Sequence, residues 1–196
     1  MMLQTPLESC SSKRTLIALG SNAASAWGDV ATTVQKASAA IARLSDTPPV
    51  ISRLFKTPAF PAGAGPDFVN AVIRIETRLS ALDVLAALHE IEADAGRERT
   101  VRWGQRTLDL DLIAMADEVL PDATTHRYWR DLPLDQQVKV APDELILPHP
   151  RLQDRSFVLV PLTDVAPDWV HPILDQTVLE MRDARPEAEL ASVIPI

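Results

Sequence analysis

The sequence predicts a single α+β sandwich built on an antiparallel sheet, and three observations carry that prediction. Short apolar runs, two of them with two-residue alternation, are interleaved with stretches whose apolar residues recur every three or four positions. The 196-residue length, with 46% hydrophobic and 23% charged residues, suits one domain large enough for a substantial core. No segment approaches the 18 or more apolar residues of a membrane-spanning helix.

Residues 15–19 form an apolar run stopped by Gly20-Ser21-Asn22, a buried strand entering a turn. From about Asp29 to Leu44, Val30, Val34, Ala37 and Ile41 fall at helical spacing, and Pro48-Pro49 ends the segment. Residues 50–57 have strand character up to Pro58, which has no N–H to give a ladder. Residues 59–66 read as a loop. In the strand expected over 68–77, Val69, Ala71, Ile73 and Ile75 line one face, while Phe68, Asn70 and Arg74 share the other.

A helix starts at Ser80 with the capping pattern Ser80-Ala81-Leu82-Asp83, and Gly96 stops it. Its apolar arc is Val84, Leu85, Leu88, Ile91 and Ala95. Glu92 falls inside that arc, where an unpaired carboxylate is costly, so a partner such as a nearby arginine is expected. After the strand that begins near Asp109, residues 118–141 are rich in proline and aspartate and read as an extended loop or short helix. The stretch from about 121 to 141 is an insertion in which Trp129 is expected to anchor packing. Pro148-His149-Pro150-Arg151 reads as a rigid turn, 156–160 as an apolar strand and 161–165 as the start of a short helix. Residues 1–13 are expected to be a disordered leader and 184–196 a loosely held tail, leaving one domain over 14–183. The order strand, helix, strand, strand, helix, strand gives a sandwich of ferredoxin-like type, with helices on the aliphatic side and a ligand cleft on the other.

The net charge of −8 argues against a general nucleic-acid or acidic-membrane surface. A single cysteine, Cys10, excludes an internal disulfide and suits a reducing compartment. With no apolar signal-peptide core at the N-terminus, a cytoplasmic protein is expected, and a monomer. There is no G-x-x-x-x-G-K-[ST] loop, no G-x-G-x-x-G, no zinc spacing of Cys and His, and no G-x-S-x-G elbow.

What remains is Arg102-Trp103-Gly104-Gln105-Arg106-Thr107-Leu108-Asp109-Leu110-Asp111. In a strand, Asp109 and Asp111 point the same way with Cα atoms about 7 Å apart, while Leu108, Leu110 and Leu112 take the opposite face. Two like charges side by side raise the cost of ionising both, and a divalent cation removes that cost. Arg97, Arg99, Arg102 and Arg106 lie within ten residues of one another and can hold phosphate oxygens against the same metal. Magnesium is commonly held by one or two carboxylates together with substrate phosphates. The residues alone leave three readings open: a phosphotransferase, another two-metal phosphohydrolase, or a non-catalytic nucleotide- or RNA-binding module. Aspartates in place of sheet aromatics and the negative charge count against the last.

Leu19-Gly20-Ser21-Asn22, Phe68-Val69-Asn70, the arginine–aspartate string and Pro148-His149-Pro150-Arg151 occur in an order and spacing that resembles the 6-hydroxymethyl-7,8-dihydropterin pyrophosphokinase family of folate biosynthesis. The resemblance runs from about Thr15 to about Asp183. It implies transfer of pyrophosphate from ATP to the pterin hydroxymethyl group with release of AMP, and two magnesium ions. It further implies that Asp109 and Asp111 ligate the metals, with Arg97 and Arg106 as catalytic arginines. ATP contacts would come from His89, Glu92, Arg99, Arg102, Arg106, Leu112, His149 and Arg155. The pterin would meet Thr57, Pro58, Phe60, Asn70, Trp103 and Phe157.

Overall fold

A computed structural model describes residues 11–59, 65–97, 106–133, 136 and 140–196. The chain runs through β1 (Lys13–Ser21), α1 (Val30–Ile41, extended by a 3-10 turn, Ala42–Leu44), β2 (Val50–Ile51), β3 (Phe55–Thr57), β4 (Phe68–Thr77), α2 (Ala81–Asp94) and β5 (Asp109–Met115). The sheet order is β5-β1-β4-β3-β8, with β8 (Ile194–Pro195) near the C-terminus and β2 also on β4. All its pairings are antiparallel. The expected α+β sandwich of ferredoxin-like type is therefore present.

Local chemistry sets the helix ends. The Asp29 carboxylate accepts from the Thr32 N–H at 2.8 Å, and the Ser80 hydroxyl accepts from the Asp83 N–H at 3.1 Å. The φ of +78° at Gly96, where a Cβ would be strained, closes α2. Ile17, Leu19, Ile73, Ile75, Leu110 and Leu112 meet Val34, Ile41, Val84 and Leu88 in the core beneath α1 and α2.

Three sequence readings need correction. Residues 156–165 are one helix, α4 (Ser156–Val165), not a strand followed by a helix. The aliphatic and aromatic run Phe157-Val158-Leu159-Val160 favours a strand locally. However, Val158, Leu159, Leu162 and Val165 lie at helical spacing and are all buried against the sheet, so tertiary packing wins. Pro161 costs α4 one N–H and does not break it. This helix also covers part of the face expected to be wholly open: Leu16, Ala18, Val72, Ile113 and Ala114 pack under it.

The second correction concerns residues 50–57, where strand pairing is interrupted. Ser52 accepts the Val72 N–H on its hydroxyl at 2.9 Å and leaves β2 and β3 as separate short pieces.

The third concerns residues 184–196, which are held and not loose. After a hairpin of β6 (Val170–His171) and β7 (Gln176–Thr177) come α5 (Val178–Asp183), α6 (Glu187–Ala191) and β8 (Ile194–Pro195). Strand β8 pairs with β3, Val193 is buried, and Glu189 accepts from the Ser156 hydroxyl at 2.8 Å. Local polarity concealed this because the partners lie more than 30 residues away.

The insertion carries α3 (Ala123–Asp131), capped by Asp122, which accepts from the Thr124 and Thr125 N–H groups. Its anchor is His126, fully buried, whereas Trp129 is only half-buried beside Tyr128. Of the expected leader, residues 1–10, including Cys10, lie outside the described residues. No helix among the described residues is long and apolar enough to cross a membrane.

Candidate active site

Strand parity builds the site. Asp109 of β5 lies opposite Gly20 of β1, Gly20 opposite Asn70 of β4, and Asn70 opposite Phe55 of β3, so the four share one row across the sheet. One row further in come Asp111, Ala18 and Val72. A register shift at β1 Leu16/Ile17 puts Ile113 and Ala114 together on the α4 side, so the strand turns apolar where the helix covers it. The two carboxylates thus point to the same face, as the alternation predicts, at the end that α4 leaves open.

Gly20 is required by a close approach. A Cβ there would sit 2.9 Å from the Asn70 side-chain oxygen. Asn70 is nearly buried and donates from Nδ2 to the Thr57 hydroxyl at 2.7 Å. The hydroxyl thus fixes the amide, leaving its carbonyl oxygen above Gly20.

The aspartates are ringed by guanidinium groups. Arg97 pairs with Asp109 at 2.8 Å and with Glu92, and Arg106 pairs with Asp109 as well. Arg155 pairs with Asp111 at 3.1 Å and lies against the ring of Phe157, 5.8 Å from its centroid. Phe157 is 40% exposed, so one face of a rigid aromatic is open beside the cluster.

Glu92 is 2% exposed, and its Oε1 accepts the Leu110 N–H at 2.8 Å as well as Arg97. This is the partnered carboxylate that the helical arc required. It ties α2 to the strand between the two aspartates. His89 is exposed on the same helix and, with Glu92, Ala93 and Arg97, lines a cavity of about 180 Å³.

The His149 backbone N–H donates to the Ile113 carbonyl at 2.7 Å, hooking the Pro148–Arg151 turn onto β5, and its Nδ1 accepts from the Arg151 N–H at 3.0 Å. Burial first, and then Arg155, hold the His149 imidazole well below its ordinary pKa, so it is neutral at physiological pH.

Sequence reasoning assigned no role to Ser21 and Asn22, which clamp the base of the arginine segment. The Asn22 N–H donates to the Arg106 carbonyl at 3.0 Å, its Oδ1 accepts the Arg106 N–H at 2.8 Å, and the Ser21 hydroxyl donates to the Thr107 carbonyl at 2.7 Å. The available signal was a Gly-Ser-Asn turn directly after a buried strand. Thr57 and Asn70 are brought together. Pro58 is exposed next to them. The Leu112 side chain is committed to the core at 4% exposure, so any nucleotide contact it makes is through its backbone. Phe60, Arg99, Arg102 and Trp103 lie outside the described residues.

A ferredoxin-like sandwich presenting paired carboxylates, convergent arginines and an adjacent amide and aromatic defines a class: a phosphotransfer enzyme acting on a polyphosphate and a flat polar ring. The profile of the family described as 7,8-dihydro-6-hydroxymethylpterin-pyrophosphokinase (HPPK) matches residues 16–167. A Pseudomonas aeruginosa 2-amino-4-hydroxy-6-hydroxymethyldihydropteridine pyrophosphokinase is 36% identical over 184 residues, 93% of each chain. Its Haemophilus influenzae counterpart is 37% identical over 160 residues, covering 80% of this chain and 83% of that one. Among solved structures, wild-type Plasmodium falciparum HPPK-DHPS superposes with a TM-score of 0.60 at 13% identity, over 88% of this chain and 43% of that one, which establishes the shared fold. The chain belongs to the 6-hydroxymethyl-7,8-dihydropterin pyrophosphokinase family: it is an ATP-dependent diphosphotransferase of folate synthesis. The alternative of a two-metal phosphohydrolase finds no support among these relatives.

Proposed function

We propose that the open end of the sheet seats both substrates, with ATP on the arginine side and the pterin on the Asn70 side. The observation that carries this reading is the single row Asp109–Gly20–Asn70. It sets a phosphate-handling carboxylate and a ring-reading amide on one face, two strands apart.

Two magnesium ions fit the donor set. Asp109 and Asp111 supply oxygen ligands, and their side chains are partly open, at 18% and 37% exposure. No group of three or more potential protein ligands exists among the described residues. The remaining positions would then fall to phosphate oxygens and water, the arrangement magnesium favours. Bound there, such ions would supply positive charge to neutralise the triphosphate and stabilise the attacking and leaving oxygens.

The chain's own residues do the rest. Arg97 and Arg106 exchange the Asp109 carboxylate for the more highly charged phosphates, which releases the aspartate for the cation. Arg155 makes the same exchange at Asp111, and the neutral His149 offers its remaining nitrogen to a phosphate oxygen. Arg99 and Arg102 extend the cationic wall. Asn70, held by Thr57, reads the polar pterin edge, while Phe157 and Trp103 enclose its faces, with Pro58 and Phe60 closing the pocket. The hydroxymethyl oxygen then attacks the β-phosphorus as its proton passes to solvent, the bond from the β-phosphorus to the α,β-bridging oxygen breaks, and AMP departs with that oxygen. Most of the rate comes from positioning and charge neutralisation.

Incubating the protein with ATP, magnesium and 6-hydroxymethyl-7,8-dihydropterin should yield AMP and the pterin diphosphate in equal amounts. A biphasic magnesium dependence should accompany turnover. ADP or orthophosphate as the main product would overturn the reading.

A further inference from the structure

Residues 185–196 lie beyond the stretch that the family profile matches and take no part in the proposed chemistry, yet they hold both elements assigned to the pterin. Near the start of the segment, the Glu189 carboxylate accepts from the Ser156 hydroxyl and from the Arg185 guanidinium, each at 2.8 Å. Ser156 is 6% exposed in the first turn of α4, directly between Arg155 and Phe157. Arg185 first, and then Ser156, hold the Glu189 carboxyl below the ordinary carboxylate range, so it is ionised at physiological pH. At the other end of the segment, Ile194 of β8 lies opposite Lys56 and Pro195 opposite Phe55. The Ile196 N–H donates to the Leu54 carbonyl at 2.9 Å. Val193, between these two attachments in the chain, is buried.

Strand β3 needs such support. It is three residues long and, among the described residues, pairs with β4 on one side and β8 on the other. Without β8 it would be a short edge strand, the kind of element that opens most easily. Its last residue is Thr57, whose hydroxyl fixes the Asn70 amide. A second tie joins β3 to α4 further along the helix. Asp164 accepts from the Arg53 backbone N–H at 3.1 Å and from its guanidinium at 2.9 and 3.0 Å, and that guanidinium lies 5.2 Å from the Phe55 ring centroid. One attachment between two elements leaves a hinge, whereas two fix their relative orientation. We propose that residues 185–196 clamp β3 to the N-terminus of α4 and so set the spacing between Thr57 with Asn70 and the Phe157 ring that together receive the pterin. Phe157 depends on this more than Arg155 does. A rigid ring goes where its backbone puts it, while Arg155 has a long side chain and its own partner in Asp111. Ser156 and Glu189 are positioning residues, and the assignment rests on the pyrophosphokinase reading of Asn70 and Phe157.

The test cuts the clamp at each end in the full chain. Ser156→Ala removes the hydroxyl at α4 and leaves Glu189 paired with Arg185. Ile196→Pro removes the N–H given to Leu54 at β3. Each should raise KM for the pterin about five-fold, the scale of one lost hydrogen bond, with KM for ATP and thermal melting close to wild type. Ser156→Thr, which keeps the hydroxyl, should retain the wild-type pterin KM. Because the two attachments act in series, the double variant should be no worse than the more affected single, whereas independent losses add. Hydrogen exchange gives a readout without turnover: in Ser156→Ala the amides of residues 53–57 should exchange faster, although Ser156 belongs to another element. Unchanged pterin KM in both singles, equal rises in both KM values, fully additive effects, or wild-type exchange over 53–57 in Ser156→Ala would overturn the clamp. AMP release by the wild-type protein checks the pyrophosphokinase reading by itself, so the two failures are distinguishable.

Discussion

On the sheet face that carries the two aspartates, the row of Leu16 with Arg74 runs under α4, the row of Asp111, Ala18 and Val72 lies at the helix's edge, and the row of Asp109, Gly20 and Asn70 lies beyond it. The strands and the parity are the same at both ends. At the covered end, Val72, Ile113 and Leu159 are fully buried, and the charged side chain of Arg74 is used structurally, donating to the Val165 carbonyl at 2.7 Å to close α4. At the open end, charged groups pair with one another and keep partial solvent access. The difference teaches that α4 decides where the face is core and where it is site. Its N-terminus delivers Arg155 and Phe157 to that boundary.

Substitutions at the two ends should therefore separate stability from turnover. The largest combined effect is expected at Glu92→Ala, which strips both the Leu110 N–H and Arg97 of a buried partner. Loss of about 3–5 kcal/mol of stability is expected together with a fall in kcat, read by thermal melts and AMP release. A variant that melts like wild type would show that Glu92 does not tie α2 to β5. At the covered end, Leu159→Ala should cost about 2–5 kcal/mol in denaturant titrations. Both KM values should stay unchanged; a selective rise in either would show that the two ends are not separable in this way. The smallest expected effect is at Gly20→Ala, about 1–2 kcal/mol, from displacing the Asn70 amide. It should appear as a roughly ten-fold rise in pterin KM with ATP KM unaffected, and equal rises in both would remove Asn70 from the pterin side.

The open end was more legible in the sequence than the covered end. Strand parity is a period-two property of neighbouring residues, so the shared face of Asp109 and Asp111, and the face of Phe68, Asn70 and Arg74, could be read from adjacent letters. The need of Glu92 for a partner followed from its place in a helical arc. The strand reading of 156–160 fails because a four-residue apolar run satisfies either period until its packing partners are known. The clamp of Ser21 and Asn22 on the arginine segment spans more than 80 residues, and the pairing of β8 with β3 about 140, so no local pattern carries them.

The account turns on the two carboxylates being dispensable for the fold and indispensable for the transfer. The most direct measurement is AMP release by Asp109→Asn and Asp111→Asn, each paired with a thermal melt. Turnover should fall by about 10³-fold or more, a loss of about 4 kcal/mol of transition-state stabilisation, with melting close to that of the wild type. Near-normal AMP release from either folded variant would contradict the assignment of this end of the sheet as the place where the pyrophosphoryl group is transferred.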